Sequence, residues 1–427
     1  MRVRAHWAAV PAVLSLVLGA SVAADAVRAP AQQARTPGAG GPYDLLIRGG
    51  HVIDPRGHVD GRRDLAVRDG KIAKVARSLA GARAKKTVDA SGKYVTPGLI
   101  DLHAHLYNGH GDAYADGALS VPPDGFTFRS GVTTAVDAGS PGWRNFDAYK
   151  KDVIDRSETR VLAFLNIVGH GMAGGEKEQD LGDMKAEEAA RVARAHPGVV
   201  IGIKTAHYEG KDWTPVERSV EAGEAADVPV MVDFGEDHPE RPLDQLLTEK
   251  LRPGDLYTHA YSGLRGELGE DGRLNPGMRE GRERGVLFDV GHGGGSFDWD
   301  VAVPAMKEGF EPDTISTDLH TGSMNAGMKD MPTVMSKFLT LGMPLKEVVE
   351  ASTWKPAQAI GRKDLGHLSV GAPADVALFS LERGRFGYTD SFGERVDGER
   401  KLAPELTVRA GEVVWDLNGR AAKEWRP

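Results

Sequence analysis

Eight short apolar runs recur at intervals of roughly thirty residues along the middle of the chain, separated by segments that can form helices. A strand, a helix and a strand repeated in this way indicate a closed parallel (β/α)8 barrel, or TIM barrel, and an α/β fold class. An open doubly wound sheet is the alternative, but no Gly-x-Gly-x-x-Gly turn follows the first run. The predicted strands are 96–105, 131–139, 161–170, 199–204, 228–233, 255–259, 285–292 and 314–318, and predicted helices include 185–195, 215–226 and 275–284.

Several of these runs end on a histidine, aspartate or lysine. A TIM barrel gathers the C-terminal ends of its strands on one rim, where the active sites of this fold lie. We therefore expect seven side chains that are far apart in sequence to converge at that rim. They are His103, His105, Lys204, Asp233, His259, His292 and Asp318.

The His-x-His pair at the end of the first run is the strongest single indication of chemistry. Side chains at i and i+2 of a strand point to the same face. His103 and His105 can therefore place ring nitrogens about 2.0–2.1 Å from one divalent ion. Two solvated histidines or a buried hydrogen-bonded pair would have the same sequence, but the expected convergence of the other residues favours a metal site.

Six short motifs lie at the ends of the predicted strands. They are 97–105, 136–140, 202–204, 258–259, 288–293 and 316–318. Their order and spacing, from about residue 43 to about residue 417, resemble those of metal-dependent amidohydrolases, in the branch with dihydroorotase-like proteins and the amidohydrolase/deacetylase family. The resemblance implies a hydrolase that uses one or two divalent metal ions, zinc first and manganese as the alternative, to attack a carbonyl.

The same resemblance implies a ligand set. His103, His105, Asp318 and a carbamate on Lys204 would hold the first ion, and Lys204 and His259 the second. Lys204 fits physically, because burial in an apolar strand end favours the neutral amine that captures carbon dioxide. A barrel lysine paired with Asp318 or Asp233 is the alternative.

One position departs from the family pattern. The family usually has a histidine at the end of strand five, where this chain has Asp233. A carboxylate binds zinc at about 2.0–2.2 Å, so we predict Asp233 as a metal ligand, which would favour a harder ion such as manganese. The alternatives are that His238 reaches into the site, or that the second site is weak or empty.

Asp318 is the predicted catalytic residue. It would orient the attacking water, take its proton and pass that proton to the leaving group. A strand-end aspartate that caps the next turn through Thr321 is the alternative role.

We predict substrate contacts from His292, Ser140 and His207. His292 lies in the small-residue segment 291–296, whose backbone N–H groups could receive an anion, although the glycines could instead serve a flexible lid. Four further histidines have the sequence context of surface or loop residues: His110, His196, His320 and His367. His320 follows Asp318 closely enough to face the rim.

The two ends of the chain differ from the barrel in pattern. Residues 43–95 and 366–420 contain alternating apolar runs and the hairpin signals Asp69-Gly70 and Ala410-Gly411. The resemblance implies that they form one small β-sandwich beside a barrel of residues 96–365.

The N-terminus has the features of an export signal. Arg2 and Arg4 precede an apolar stretch at 7–18, and small residues follow at 21–24. The stretch is short for a membrane span. We predict a signal peptide at 1–24, a disordered leader at 25–42, and a periplasmic or secreted protein without stable membrane insertion.

Composition narrows the function further. The chain has no cysteine, so any metal must be bound by histidine, carboxylate or the modified lysine. Its formal charge of -8 argues against nucleic-acid binding.

The predicted export bears on the substrate. It disfavours a true dihydroorotase, because pyrimidine synthesis is cytosolic. We expect a small, anionic N-acyl or cyclic amide substrate. A small acyl ester, or a catalytically weak metal- or solute-binding barrel, is the alternative, and a homo-oligomer is possible.

Overall fold

Fifteen strands and twelve α-helices occur in residues 42–107, 119–235 and 238–426, the part of the chain that the computed structural model describes. The strands are β1 (Tyr43–Asp54), β2 (Val59–Arg68), β3 (Lys71–Ala76), β4 (Ala84–Asp89), β5 (Tyr94–Pro97), β6 (Leu99–Ala104), β7 (Val132–Gly142), β8 (Arg160–Asn166), β9 (Val200–Thr205), β10 (Val230–Val232), β11 (Leu256–Tyr257), β12 (Leu287–Phe288), β13 (Val376–Thr389), β14 (Arg395–Arg409) and β15 (Glu412–Asp416). The α-helices are α1 (Pro123–Thr127), α2 (Phe146–Asp152), α3 (Glu176–Gln179), α4 (Ala186–Ala195), α5 (Thr214–Ala226), α6 (Leu243–Gln245), α7 (Pro276–Glu283), α8 (Trp299–Lys307), α9 (Thr321–Asn325), α10 (Met331–Thr340), α11 (Leu345–Ala351) and α12 (Trp354–Ala359).

The predicted TIM barrel is confirmed. Strands β6 to β12 form a parallel sheet in sequence order. The eighth position is the segment 314–319, which bridges Asp289 on one side and Ala104 on the other and so closes the barrel. This segment forms isolated bridges instead of a regular strand, and Asp318 within it leaves the extended conformation with φ = 52°.

The barrel strands are apolar because both of their faces are buried. Every residue of β7 and β9 is buried, as expected for a parallel sheet covered by helices. Alternate side chains such as Ile100, Val136, Leu162 and Met231 form one cluster, which also includes Ala357 of α12. The intervening side chains pack in a second, larger cluster with the helices. The strand ends are therefore held in a rigid ring.

The predicted helices occur close to their expected positions, as α4, α5 and α7. Pro215 lies in the first turn of α5, where its missing N–H costs nothing, and the helix ends at Asp227 in the left-handed region. The Asn275 side chain caps α7 by accepting a hydrogen bond from Gly277 N. Among the helices described, none is long and apolar enough to cross a membrane.

The resemblance implies one small β-sandwich built from both chain ends; the two ends do pair, and they form one mixed sheet separate from the barrel sheet. Its order is β15-β14-β13-β5-β1-β2-β3, with β4 paired to β1, and β13 joins the two ends by pairing antiparallel to β5. The hairpin turns Asp69-Gly70 and Ala410-Gly411 have positive φ at both residues, as tight hairpins require. The exact domain limits stay predictions, and the predicted signal peptide and nearly all of the leader lie outside the described residues.

Candidate metal centre and active site

An open cavity of about 430 Å³ lies at the C-terminal rim of the barrel. Its lining combines charged or ionisable side chains with small residues. The ionisable ones are His207, Asp233, His259, Arg265, Asp318 and His320, and the small ones are Gly294, Gly295, Ser296 and Gly322. His207, His259 and Asp318 all have positive φ, a conformation that costs energy for residues with a side chain and that clusters at functional sites.

His259 has an unambiguous tautomer. Its Nδ1 lies 2.5 Å from the carbonyl oxygen of Gly291, which can only accept, so Nδ1 carries the proton. Nε2 therefore presents a lone pair to the cavity when the ring is neutral. The same arrangement is typical of metal-binding histidines, whose second nitrogen donates to a carbonyl or carboxylate.

His103 and His105 are held from behind in the same way. Thr258 Oγ1 lies 3.0 Å from His103 Nδ1 and donates its own proton to Asp289, so it accepts from the ring. Ser140 Oγ lies 3.1 Å from His105 Nδ1. Both rings are buried and direct Nε2 toward Asp318. Burial, followed by the nearby Lys204 charge, holds the pKa of His103 well below its ordinary value, which keeps that ring neutral.

Asp318 completes a group of buried ligand atoms. Its Oδ1 lies 2.9 Å from His105 Nε2 and 3.6 Å from His103 Nε2. Within the described residues this oxygen is buried and makes no hydrogen bond. Ligand atoms of His103, His259 and Asp318 lie within 4.8 Å of one another. Lone pairs that face each other at this range without a proton between them fit a bound cation, so the residues present fit a divalent metal ion.

Lys204 enters the same cluster from β9. Its side chain is fully buried, its Nζ lies 3.2 Å from His103 Nε2, and burial lowers the pKa of the amine. In the described part of the chain it forms no ion pair with Asp318 or Asp233, the alternative considered above. Gly139, at φ = 94°, leaves room for the lysine, since a Cβ there would lie 2.7 Å from Lys204 Cγ.

Asp233 lies on the opposite side of His259. Its Oδ2 is 3.3 Å from His259 Nε2 and 3.5 Å from His207 Nε2, and its Oδ1 is 3.0 Å from Arg265 Nη2. Burial would raise the pKa of this carboxyl, but His259, Arg265 and His207 outweigh burial and hold that pKa well below its ordinary value. Asp233 is therefore ionised, and its Oδ2 faces the two imidazole rings.

His207 is held by a second buried carboxylate. Glu178 Oε2 lies 2.8 Å from His207 Nδ1, and the other oxygen of Glu178 accepts from Gly174 N. The His207 ring is 40% exposed and lines the cavity. Burial would lower the pKa of His207, but Glu178 and Asp233 raise it overall.

His320 lies in the cavity wall as the cap of α9. Its Nδ1 accepts from the backbone N–H groups of Gly322 and Ser323, so its Nε2 carries the proton, 3.6 Å from Asp318 Oδ2. The cap of this helix is thus His320, whereas Asp318, for which capping was the alternative, directs its carboxylate into the metal-ligand cluster.

Three predicted or alternative site residues lie elsewhere. Ser140 contacts the rear nitrogen of His105, and it does not line the cavity. His292 is fully buried, stacks on Phe297 and accepts from Lys337 Nζ, which places it behind the cavity wall. His238 donates to the carbonyl of Glu209. We therefore do not use His292 as a substrate contact below. His110 lies outside the described residues.

Arg265 and Glu178 are site residues that the sequence analysis missed. Arg265 follows the sixth barrel strand in a loop, and Glu178 lies in the short helix α3. Neither belongs to a strand end or a recognisable motif, so no periodic signal marks them. Their only sequence indication is a charge at a position that becomes buried.

Comparison with known proteins finds relatives both by sequence and by structure. Two profiles described as the amidohydrolase family match residues 86–154 and 297–414. A protein named deacetylase from Brucella anthropi is 35% identical over 366 residues, which cover 84% of this chain and 89% of the relative. A crystal structure titled adenine deaminase has a TM-score of 0.79 at 28% identity, covering 88% of this chain and 100% of that chain. One titled dihydroorotase has a TM-score of 0.77 at 32% identity, covering 86% and 97%.

Proposed function

Because the chain belongs to the metal-dependent amidohydrolase superfamily and is a hydrolase of amide or cyclic amide bonds outside peptides, we propose that it removes the acyl group from a small anionic N-acyl compound. A cyclic amide opened by the same chemistry is the closest variant of this proposal. The relative named deacetylase supports a small acyl group, and the rim cavity of about 430 Å³ suits a small substrate.

The observation that carries the proposal is the buried group formed by His103, His105 and Asp318, with Lys204 beside it. Both imidazoles are fixed through Nδ1, and Asp318 Oδ1 is buried without a hydrogen-bond donor among the described residues. We assign these residues to the first metal ion, with Lys204 as its carbamate. Zinc is the expected ion for imidazole and carboxylate ligands, with manganese as the alternative.

A bound divalent ion supplies polarisation of the scissile carbonyl and a more acidic water. The chain supplies the proton transfers. Asp318 takes a proton from the attacking water and passes it to the leaving nitrogen, and His320 Nε2–H lies 3.6 Å from the second oxygen of Asp318.

The anionic part of the substrate would lie against the outer wall of the cavity. His320 and Arg265 carry N–H groups on that wall, and the small residues Gly294 to Ser296 allow close approach of the backbone. Donors of this kind recognise a carboxylate. We therefore assign substrate binding to His320 and Arg265 rather than to His292.

We further propose that the protein acts after export to the periplasm or the medium. The support is the N-terminal sequence, with two arginines, an apolar stretch and small residues. N-terminal sequencing of the protein recovered from fractionated cells tests this. A mature start near residue 25 in the exported fraction is expected, and an intact Met1 in the cytosol would contradict it.

The experiment that tests the function uses purified protein stripped of metal and then supplied with zinc or manganese in bicarbonate buffer. We expect N-acyl amino acids or cyclic imides to be hydrolysed only by the metal-loaded protein, and acetyl esters more slowly. Native mass spectrometry at neutral pH should show the mass of one added carbon dioxide. Ligand binding without turnover of any acyl compound would instead identify a binding protein, and faster ester cleavage would identify an esterase.

A further inference from the structure

We propose that His207 and Asp233 together take the place of the histidine expected at strand five, and that they hold a second divalent ion with His259. The inference rests on the proposed metal-dependent function and assigns to His207 a role different from substrate binding. It concerns the one position at which this chain departs from the pattern of the resemblance, Asp233 at the strand-five end, and the imidazole of His207 just beyond β9.

The distances support this assignment. Asp233 Oδ2 lies between two imidazole nitrogens, 3.3 Å from His259 Nε2 and 3.5 Å from His207 Nε2. His207 follows β9, the strand that carries Lys204, and β10, which precedes Asp233, pairs with it. The lysine, both histidines and the carboxylate therefore come from adjacent strand ends of the barrel.

The surrounding contacts aim these atoms at a common ligand. Glu178 accepts from His207 Nδ1, and the Gly291 carbonyl accepts from His259 Nδ1, so in the neutral rings both Nε2 atoms present lone pairs to Asp233. Arg265 binds Asp233 through Oδ1 and leaves Oδ2 toward the histidines. A carboxylate behind a histidine, with a second polar partner behind each ligand, is the usual outer shell of a metal site.

The second site is less tightly preformed than the first. Among the described residues, the only group whose ligand atoms already lie within 4.8 Å of one another is His103, His259 and Asp318, and neither His207 nor Asp233 belongs to it. The His207 ring must therefore move inward when an ion binds, and its 40% exposure gives it room to do so. We expect two binding steps, with the second ion bound more weakly than the first.

Titration of the metal-free protein with Mn²⁺ or Co²⁺ in bicarbonate buffer tests this directly. Calorimetry, and the Co²⁺ absorption spectrum, should resolve a tighter and a weaker event in the natural protein. His207→Ala should lose the weaker event and keep the tighter one. His238→Ala is the matched control, because His238 donates to the Glu209 carbonyl, and both events should persist in it.

Two further variants separate ligation from general damage to the fold. Glu178→Gln keeps the shape of the side chain but weakens its hold on His207, so the second event should weaken about 10–100-fold. Asp233→His restores the histidine expected at strand five. In that background His207→Ala should no longer abolish the second event.

Unchanged second-ion affinity in His207→Ala, with the first event and hydrolysis intact, would overturn this inference and leave the proposed function standing. A second event that disappears equally in His238→Ala would also overturn it. Failure of the natural protein to bind any ion, by contrast, would contradict the proposed function itself.

Discussion

At the scale of single residues, the chemistry of this site depends on which ring nitrogen carries the proton. His259 donates to a carbonyl, His103 to a threonine hydroxyl, and His105 lies against a serine hydroxyl. Each partner contacts Nδ1, so the Nε2 atoms are the ones turned toward the site. This arrangement turns the Nε2 atoms toward Asp318 and the cavity.

Asp318→Asn should reduce turnover by about 10²–10⁴-fold, because the amide cannot accept the proton of the attacking water. Its nearly unchanged size should preserve the fold, which circular dichroism would verify. Turnover within a factor of two of the natural protein would show that another group acts as the base.

Ser140→Ala separates a role behind the metal ligand from a role in substrate binding. The serine contacts His105 Nδ1, so its loss should weaken first-ion affinity about 10-fold or more, as changes to outer-shell partners do. The Michaelis constant of the fully metal-loaded variant should change little. A raised Michaelis constant with unchanged metal affinity would support the contact with substrate that sequence analysis predicted.

At the scale of elements, a glycine at the end of one strand leaves the space that the side chain of a neighbouring strand occupies. Gly139→Ala would place a Cβ 2.7 Å from Lys204 Cγ, at a φ of 94° that disfavours any side chain. We expect the Lys204 side chain to be displaced. The variant should then lack the mass of the carbamate in mass spectrometry and bind the metal ion more weakly. Gly125→Ala, where a new Cβ meets nothing within 4 Å, is the control and should bind metal normally.

Glu405, in β14 of the mixed sheet formed by the chain ends, accepts several hydrogen bonds. Burial would raise its pKa, but hydrogen bonds from Lys93, Ser380, Asn418 and Arg420 outweigh burial and hold that pKa at about 2, against an ordinary 4.5. A lowered folded-state pKa stabilises the protein above the ordinary value, and this contribution is lost as pH falls from 4.5 toward about 2.

The unfolding free energy should therefore fall less steeply over that pH range in Glu405→Gln than in the natural protein. Urea titrations at several pH values would measure the difference. Equal slopes for the two proteins would show that Glu405 has the same pKa folded and unfolded.

The elements also show what a sequence reveals and what it does not. Strands such as β7 and β9 are predictable because burial on both faces demands continuous apolar runs. The segment 314–318, predicted as the eighth strand, forms only isolated bridges, and the backbone N–H of Thr317 donates to the Asp101 side chain instead of to a neighbouring strand. Apolar pattern alone does not report such contacts.

At the scale of the whole molecule, the barrel accounts for the convergence of ligands from several strands, which the sequence order predicted. The side chains that orient them were not predictable in the same way. Arg265 and Glu178 come from a loop and a short helix, whose paths depend on tertiary packing. His292 illustrates the converse case. Its position at a strand end predicts a side chain in the site, but the ring is buried against Lys337 and Phe297.

The central claim is that His103, His105 and Asp318 hold a divalent ion on which hydrolysis depends. Anomalous X-ray scattering from crystals of the active protein, collected at the absorption edge of its bound metal, tests it most directly. The account predicts a peak about 2.0–2.2 Å from His103 Nε2, His105 Nε2 and an oxygen of Asp318. Fully active crystals without a peak among these three side chains would contradict it.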